Sequence, residues 1–253
     1  AYPNELRQSL LELHDPGHNE LHRAALLANA VTEQYASGIL ELLAANGNPS
    51  VAAIGCHGQT LRHRPDLGYT IQLVNGALRA EKAGITAIVD FRSRDIAANG
   101  QGAPLVPAFH AMCFRSPATA RVIANVGGIA NLSILPSEGA ISGFDTGPGN
   151  LLMDAWAGRH LGINFDKDGE FAASGKVDAD LLAAMLKDDY FGEPPPKSTG
   201  RDRFNLAWLE AFSISALGAR DVQATLAELS AVSMASAIDN YCKEDCEVYV
   251  CGG

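Results

Sequence analysis

The chain has 253 residues, 47% of them hydrophobic, and a formal net charge of −10 at pH 7. This composition supplies enough apolar material for a globular core or for two lobes, and the acidic charge argues against nucleic acid or an anionic membrane as the main partner. No apolar run approaches the roughly 20 residues of a membrane span, so we expect a soluble protein.

The five cysteines are scattered and odd in number, which favours reduced thiols in the cytoplasm over a disulfide framework. Cys242, Cys246 and Cys251 lie close in sequence, but no CxxC pair or clustered histidine supports a zinc site. Residues 164–169 resemble the start of a calcium loop, yet the later glutamate is missing. We therefore predict no metal-ligating residue.

Apolar periodicity predicts two helices and then a short strand at the beginning of the chain, at 3–14, 19–45 and 51–55. The strand delivers a polar cluster that includes His57 and Gln59 at its carboxyl end. The spacing alone leaves two interpretations open. Either the two side chains bind a polyhydroxyl ligand, or they join a loop to the core. The pattern then predicts a strand and a helix, at 69–74 and 76–83.

A strand predicted at 85–89 ends on Asp90, and Arg92 follows closely. In isolation this charged stretch is either a solvated loop or a pocket wall in which Arg92 binds a substrate carboxylate through its planar guanidinium. After a helix at 105–114, the best linker candidate is the stretch SPAT at 116–119. We place the lobe boundary there, which gives lobes of 1–117 and 118–253, each with its own sheet.

Two apolar runs, 121–126 and 129–135, flank Gly127 and Gly128, which is typical of a β-hairpin. A turn without side chains lets backbone N–H groups approach an anion closely. This turn is therefore a candidate phosphate-binding element, although a glycine pair alone is more typical of an ordinary hairpin.

The next predicted strand, 140–144, ends on Asp145, and Gly147 and Gly149 lead into a helix that begins near residue 151. Open α/β sheets bind ligands at the carboxyl ends of their strands. The stretch therefore has the layout of a phosphate site beside a base. A lone aspartate before a glycine is more often a turn or cap residue, so the residues alone leave both interpretations open.

The remainder of the chain is mainly helical, with predicted helices at 178–187 and 221–241. Between them lies a polar loop, 197–201, in which Lys197 is a candidate to face a ligand. A strand at 248–251 leads into Gly252 and Gly253. A strand that runs into two glycines is the usual entry to a helix whose N-terminus holds a nucleotide.

Seven segments in this order resemble the anhydro-N-acetylmuramic acid kinases of bacterial peptidoglycan recycling, and the resemblance spans essentially the whole chain. The segments are CHGQT at 56–60, DFR at 90–92, GQGAPLVPAFH at 100–110, NVGGIANLS at 125–133, GFDTGPGNLLMD at 143–154, KSTGRDRFN at 197–205 and VCGG at 250–253. The resemblance implies a two-lobed α/β fold of the actin, Hsp70 and sugar-kinase type (ribonuclease H-like), with ATP and Mg²⁺ in the cleft between the lobes.

The resemblance also implies the chemistry. Such enzymes open the 1,6-anhydro bond of anhydro-N-acetylmuramic acid with water and phosphorylate O6, and Asp145 would be the general base. Phosphate and nucleotide would be held at Gly127, Gly128, Gly147, Gly149, Lys197, Gly252 and Gly253. The sugar pocket would contain His57, Gln59, Asp90 and Arg92. The resemblance further implies a cytoplasmic homodimer.

Two departures from the family pattern concern the ends of the chain. The glycine-serine-threonine phosphate hairpin with which the family begins has no counterpart before Ala1, and no helix follows Gly253. We therefore expect both ends to be cut away, and the 253 residues alone to bind ATP poorly with little turnover. Two alternatives are a non-catalytic sugar-binding protein of the same fold and, less favoured, a chaperone-like ATPase.

Overall fold

The computed structural model describes residues 2–252, and it confirms a mixed α/β fold. Its contacts divide the chain into two compact units, of which the first ends at Gly102 and the second starts at Ala103. Each unit has its own strands.

The first unit combines helices with two-stranded sheets. Its helices are α1 (Asn4–Glu12), α2 (Glu20–Ala45), α3 (Gly76–Ala83) and α4 (Ser93–Ala97). Strand β1 (Ala53–Gly55) pairs in parallel with β4 (Thr86–Ile88), and β2 (Gln59–Arg64) pairs antiparallel with β3 (Tyr69–Leu73). Among the described helices, including the 26-residue α2, none combines the length and the apolar character needed to cross a membrane.

Leucine and valine side chains join the helices of this unit to its hairpin. Leu10 and Leu13 follow the helical spacing of α1, and they pack with Val31 of α2 against Leu61 and Leu73 of the hairpin. The sequence analysis misses strand β2, because its residues QTLRHR show only one large apolar side chain. This strand is recognisable only through its pairing with β3.

The second unit is built on a four-stranded sheet with the order β7-β6-β5-β8. The strands are β5 (Ala120–Val126), β6 (Ile129–Leu135), β7 (Ser142–Pro148) and β8 (Cys246–Gly252). β5 and β6 form the predicted antiparallel hairpin, and β8 joins β5 in parallel. The helices are α5 (Pro107–Phe114), α6 (Leu151–Leu161), α7 (Glu170–Ala173), α8 (Ala179–Met185), α9 (Asp189–Gly192), α10 (Leu206–Glu210) and α11 (Ala219–Tyr241).

The two faces of this sheet differ in character. Because successive side chains of a strand point to opposite faces, Leu132 and Ile134 of β6 share one face, where they pack with Ala237 of α11. Asn131 and Ser133 share the other face, where the Ser133 hydroxyl lies 2.8 Å from Nδ1 of His110 in α5. The alternation therefore places polar side chains of the central strand on the face opposite α11.

Helix α5 explains why the two compact units divide earlier in the chain than the predicted boundary at residue 117. The helix packs on β6 of the second unit, and a side chain at Gly143 of β7 would collide with Pro107. The helix therefore groups with the sheet that follows it, and the division falls between Gly102 and Ala103.

Candidate active site

Asp145 lies within β7 and not after its end, which corrects the expected strand boundary. The strand continues to Pro148 because Gly147 and Pro148 pair with Ala130 and Ile129 of β6. Thr146 has no register partner, since the pairing shifts between Ala130 and Asn131, and this irregularity follows Asp145 directly. Irregularities of this kind commonly re-aim a side chain.

Asp145 is buried, with 6% of its surface exposed, and hydrogen bonds hold both its peptide groups and its carboxylate. Its backbone N–H donates to the carbonyl of Lys197 (3.2 Å), and its backbone carbonyl accepts from the hydroxyl of Tyr190 (2.8 Å). Its carboxylate oxygen Oδ2 accepts from the backbone N–H of Thr199 (3.0 Å). Both the peptide and the carboxylate of Asp145 are thus tied to the segment that runs from α9 into the predicted polar loop.

Tyr190 and Lys197 are both buried beside Asp145. Burial raises the pKa of the Tyr190 phenol far above its ordinary value, and the negative charge of Asp145 adds to the effect, so the phenol remains a hydrogen-bond donor. The ammonium group of Lys197 donates to the backbone carbonyl of Tyr190 (2.8 Å). Burial lowers the pKa of Lys197. The side chain predicted to border the nucleotide is therefore directed into the protein.

The turn between β5 and β6 is bonded to the loop that opens α6. The carbonyl of Gly127 accepts from the N–H of Asn150 (2.9 Å), and that of Gly128 accepts from Gly149 (2.9 Å) and Leu151 (3.2 Å). This pattern orients the carbonyls of the turn towards the loop. Both carbonyls are engaged by the loop, and any anion that binds here would be contacted through N–H groups.

The backbone at Gly147 and at Gly149 leaves no room for a larger side chain. Gly147 has φ of +143°, and a Cβ there would lie 2.8 Å from Cε1 of Phe191. A Cβ at Gly149 would overlap the carbonyl oxygen of Gly127. These two glycines allow close packing of the backbone around the turn, and their predicted contact with phosphate stays a prediction.

Gly252 lies at the end of β8, directly beside the end of β5. It pairs with Val126, it has φ of +106°, and a Cβ there would lie 2.6 Å from the carbonyl oxygen of Val126. Because β5 and β8 run in parallel, their carboxyl ends meet at one edge of the sheet, where ligands of α/β sheets bind. The turn of Gly127 and Gly128 and the glycine of β8 are therefore neighbours. Gly253 lies outside the described residues.

A row of polar residues crosses the sheet at the level of Asp145. Asn131 of β6 is in register with Asp145 on one side and with Asn125 of β5 on the other. Oδ1 of Asn131 and Oγ1 of Thr199 are buried and have no hydrogen-bond partner among the described residues. The sequence analysis misses Asn131 and Tyr190 as site residues, and it includes Thr199 only as a member of the polar loop 197–201. Only the asparagines give a signal, as polar residues inside apolar runs.

In the first unit, the parallel pairing of β1 and β4 brings His57 and Arg92 together. Nδ1 of His57 donates to the carbonyl of Gly58 (2.8 Å), and its Nε2 accepts from Nε of Arg92 (2.7 Å). Burial lowers the pKa of His57, and the Arg92 charge adds to this effect, although the Gly58 hydrogen bond opposes it. His57 is therefore held as a neutral ring. Arg92 also donates through Nη1 to the carbonyl of Gly102.

The two other predicted sugar-pocket residues have different surroundings. Asp90 adopts a left-handed conformation (φ +58°), and its Oδ1 accepts from the hydroxyl of Ser93 (2.6 Å) at the start of α4. Gln59 begins β2 and pairs with Leu73 of β3. Asp95, which sequence reasoning does not select, accepts from the N–H of Gly102 (2.7 Å) through Oδ2. Together, Arg92 and Asp95 fix the loop that ends the first unit.

The described residues also bear on metal binding. Between residues 2 and 252, the structure groups no three or more histidine, cysteine, aspartate or glutamate side chains in a way that could hold a metal ion. A magnesium ion that arrives with a nucleotide needs only one or two carboxylates, because phosphate oxygens and water complete its coordination.

Comparison with known proteins gives one consistent result. The family model described as anhydro-N-acetylmuramic acid kinase matches residues 1–253. Curated proteins named anhydro-N-acetylmuramic acid kinase are similar over the whole chain. The protein from Thiobacillus denitrificans is 55% identical over 256 residues, which cover 68% of its length. Those from Nitrosospira multiformis and Chromobacterium violaceum are 52% and 53% identical, and 70% of each is covered. The chain belongs to the anhydro-N-acetylmuramic acid kinase family.

Proposed function

We propose that the chain phosphorylates anhydro-N-acetylmuramic acid at the expense of ATP. Water attacks C1 of the sugar, the 1,6-anhydro bond opens, and O6 receives the γ-phosphoryl group of ATP, which leaves ADP and N-acetylmuramic acid 6-phosphate. The family match over residues 1–253 supports this reaction. Because the anhydro sugar comes from cell-wall turnover and ATP is supplied inside the cell, we propose a cytoplasmic role in peptidoglycan recycling.

The observation that carries the proposal is the fixed position of the buried carboxylate of Asp145. A general base must lie within hydrogen-bond reach of the proton that it removes, and its effect depends on accurate positioning. The N–H of Thr199 holds Oδ2 of Asp145, while Tyr190 and Lys197 hold its peptide groups. We assign Asp145 as the base that takes the proton from the attacking water.

We propose that the phosphates of ATP are bound at the edge of the sheet where β5 and β8 end. The N–H groups of Gly127 and Gly128 are the proposed donors, and Gly252 allows the adjacent backbone to approach closely. Mg²⁺, when bound with ATP, would neutralise charge on the phosphate oxygens, which is the main requirement of phosphoryl transfer. We further propose that Gly252 and Gly253 begin the turn that binds the adenosine of ATP.

The polar loops of the first unit are the proposed sugar-binding residues. Both ring nitrogens of His57 are engaged, by the Gly58 carbonyl and by Arg92, so its proposed part in the pocket is to orient the Arg92 guanidinium. Arg92 supplies a cation suited to the lactyl carboxylate, and Gln59 and Asp90 supply further polar groups. The homodimer implied by the family remains a prediction.

The proposal is tested with protein expressed from the complete reading frame. We expect ADP release that depends on anhydro-N-acetylmuramic acid, and we expect Asp145→Asn to lower kcat by about 100- to 10,000-fold, the usual contribution of a general base. Asp180→Asn in α8 is the matched control, since Asp180 is exposed, and it should keep the wild-type rate.

The outcome that contradicts the base assignment is near-normal turnover by Asp145→Asn. If the unmodified protein binds the sugar in calorimetry but releases no ADP, the proposed kinase activity is wrong, and the non-catalytic sugar-binding alternative is supported.

A further inference from the structure

Lys197 is unusual among the charged residues of the chain because it is buried. Within residues 2–252, the charged side chains classed as buried are Arg79, Asp145 and Lys197, and Lys197 is 8% exposed. An ammonium group loses favourable hydration on burial unless polar groups replace the water. The partners of Lys197 therefore show what its charge is used for.

The Lys197 ammonium group makes two contacts with Tyr190. The group donates to the backbone carbonyl of Tyr190 (2.8 Å) and lies 4.5 Å from the centre of its ring, within the range of a cation–π interaction. One side chain thus restrains the backbone and the ring of Tyr190 together. Phe191 and Phe204 also pack against the Tyr190 ring, so Lys197 is one of several groups that fix the position of the Tyr190 hydroxyl.

The restrained hydroxyl contacts Asp145 directly. Tyr190 donates to the backbone carbonyl of Asp145 (2.8 Å), and the carbonyl of Lys197 itself accepts from the Asp145 N–H (3.2 Å). Lys197 therefore contributes to the position of Asp145 by two routes. Its own peptide group bonds to Asp145, and its side chain contacts Tyr190, which bonds to Asp145. Only the second route depends on the lysine side chain.

We propose that Lys197 is a positioning residue for Asp145 that acts through Tyr190 and not through contact with the nucleotide. The proposal rests on the proposed function, in which Asp145 is the base. Lys197 is only 8% exposed, so a phosphate could contact its ammonium group only if the residues that cover it moved. A positioning role keeps every contact that the structure shows.

The size of the effect follows from the sensitivity of catalysis to geometry. A displacement of about 1 Å can lower a rate by roughly 100-fold. Replacement of Lys197 by methionine keeps the length and apolar character of the side chain but removes the hydrogen bond and the charge. We expect Lys197→Met to lower kcat by about 10- to 100-fold while the Kd and KM for ATP stay unchanged.

Tyr190→Phe removes only the hydroxyl oxygen, so it tests the hydrogen bond from Tyr190 to Asp145 directly. It should also lower kcat without weakening ATP binding. Because Lys197 and Tyr190 act in one chain of contacts, the double variant should lose little more than the more damaging single variant. Lys187→Met, at an exposed lysine just after α8, should keep the wild-type kcat.

The measurements are ADP release and ATP-binding calorimetry on protein from the complete reading frame, with kcat expressed per ATP-binding site. A weaker Kd for ATP with kcat retained would overturn the proposal and make Lys197 a nucleotide ligand. A decrease in the number of ATP-binding sites that matches the decrease in ADP release would also overturn the proposal, because such a match would indicate loss of folded protein. A wild-type protein without sugar-dependent ADP release would instead contradict the proposed function.

Discussion

Asp145 in the second unit and His57 with Arg92 in the first unit are held by different kinds of contact. Peptide groups and a buried phenol hold Asp145. His57 and Arg92 hold each other through their side chains, and the hydrogen bond between them requires a neutral imidazole. Peptide groups do not titrate, whereas histidine titrates near neutral pH.

The difference separates two ways to damage the molecule. The surroundings of Asp145 depend on close backbone packing, so added volume should be the most harmful change there. The loops of the first unit depend on charge and protonation, so they should respond to charge removal and to acid. Substitution by a larger residue, removal of a charge and acidification should therefore affect the two units differently.

Gly149→Ala should cause the largest loss of stability. The added Cβ would overlap the carbonyl oxygen of Gly127, and backbone cannot move aside as easily as a side chain. We expect the free energy of unfolding of the second unit to fall by about 3 kcal/mol. Urea denaturation followed by tryptophan fluorescence measures this, because both tryptophans, Trp156 and Trp208, lie in this unit.

The matched control for Gly149→Ala is Gly192→Ala. A Cβ at Gly192 has no atom within 4 Å, so the same substitution there should change stability by less than about 1 kcal/mol. Equal losses in the two variants would show that the packing around the β5–β6 turn is looser than the structure indicates.

Arg92→Ala should have an intermediate effect, confined to the first unit. It removes the hydrogen bonds to His57 and to the carbonyl of Gly102. We therefore expect the free energy of unfolding of the first unit to fall by about 2 kcal/mol. Calorimetry should show weaker binding of anhydro-N-acetylmuramic acid with ATP binding retained. Removal of the nearby cation should also raise the pKa of His57, which NMR titration measures.

The control for Arg92→Ala is Arg64→Ala, since Arg64 is exposed and pairs with Asp66 on the surface. It should leave both ligand affinities unchanged. An equal loss of sugar and ATP affinity in Arg92→Ala would point to general structural damage, and would contradict the local role of this arginine.

Acidification should produce the smallest effect. The folded protein holds the pKa of His57 below its ordinary value, so His57 is neutral in both states above about pH 6.5. Below that pH, the imidazole of His57 binds a proton in the unfolded chain but stays neutral in the folded protein. The free energy of unfolding therefore decreases as the pH is lowered, until the pH reaches the pKa of His57 in the folded protein. The first unit should therefore lose stability on acidification through this range.

A comparison with His57→Gln isolates this contribution, because glutamine keeps polar groups but does not titrate. Urea denaturation between about pH 5 and pH 8 should show a smaller decrease for the variant than for the wild type. Parallel curves would mean that His57 does not couple to folding.

Local patterns predict the elements that local residues determine. The hairpin of β5 and β6 follows from two apolar runs around Gly127 and Gly128, and helix α8 begins beside Asp178, whose carboxylate caps the N–H of Leu181 as expected of a residue at that position. The short helix α4 and the strand β2 lack such a signal, because their residues are charged or weakly apolar. Their formation depends on partners elsewhere in the chain.

The sequence predicts the types of residue in the candidate site better than it predicts the contacts between them. The motif around Asp145 is recognisable, but β7 extends past it only because Gly147 and Pro148 pair with β6. Lys197 carries a charge that sequence reasoning directs to a nucleotide, whereas the folded protein directs it to Tyr190. The link between Tyr190 and Asp145 spans 45 positions, and no local pattern indicates it.

The parallel pairing of β8 with β5 has a consequence for how the protein forms during synthesis. Arg121 of β5 bonds to Glu247 of β8 across 126 positions, whereas β5, β6 and β7 are neighbours in sequence. Contacts between distant residues form late, because closing a long loop costs entropy before any contact compensates for it. We expect the meander of β5, β6 and β7 to form first during synthesis. The edge of β5 that pairs with β8 should stay open until β8 has emerged from the ribosome.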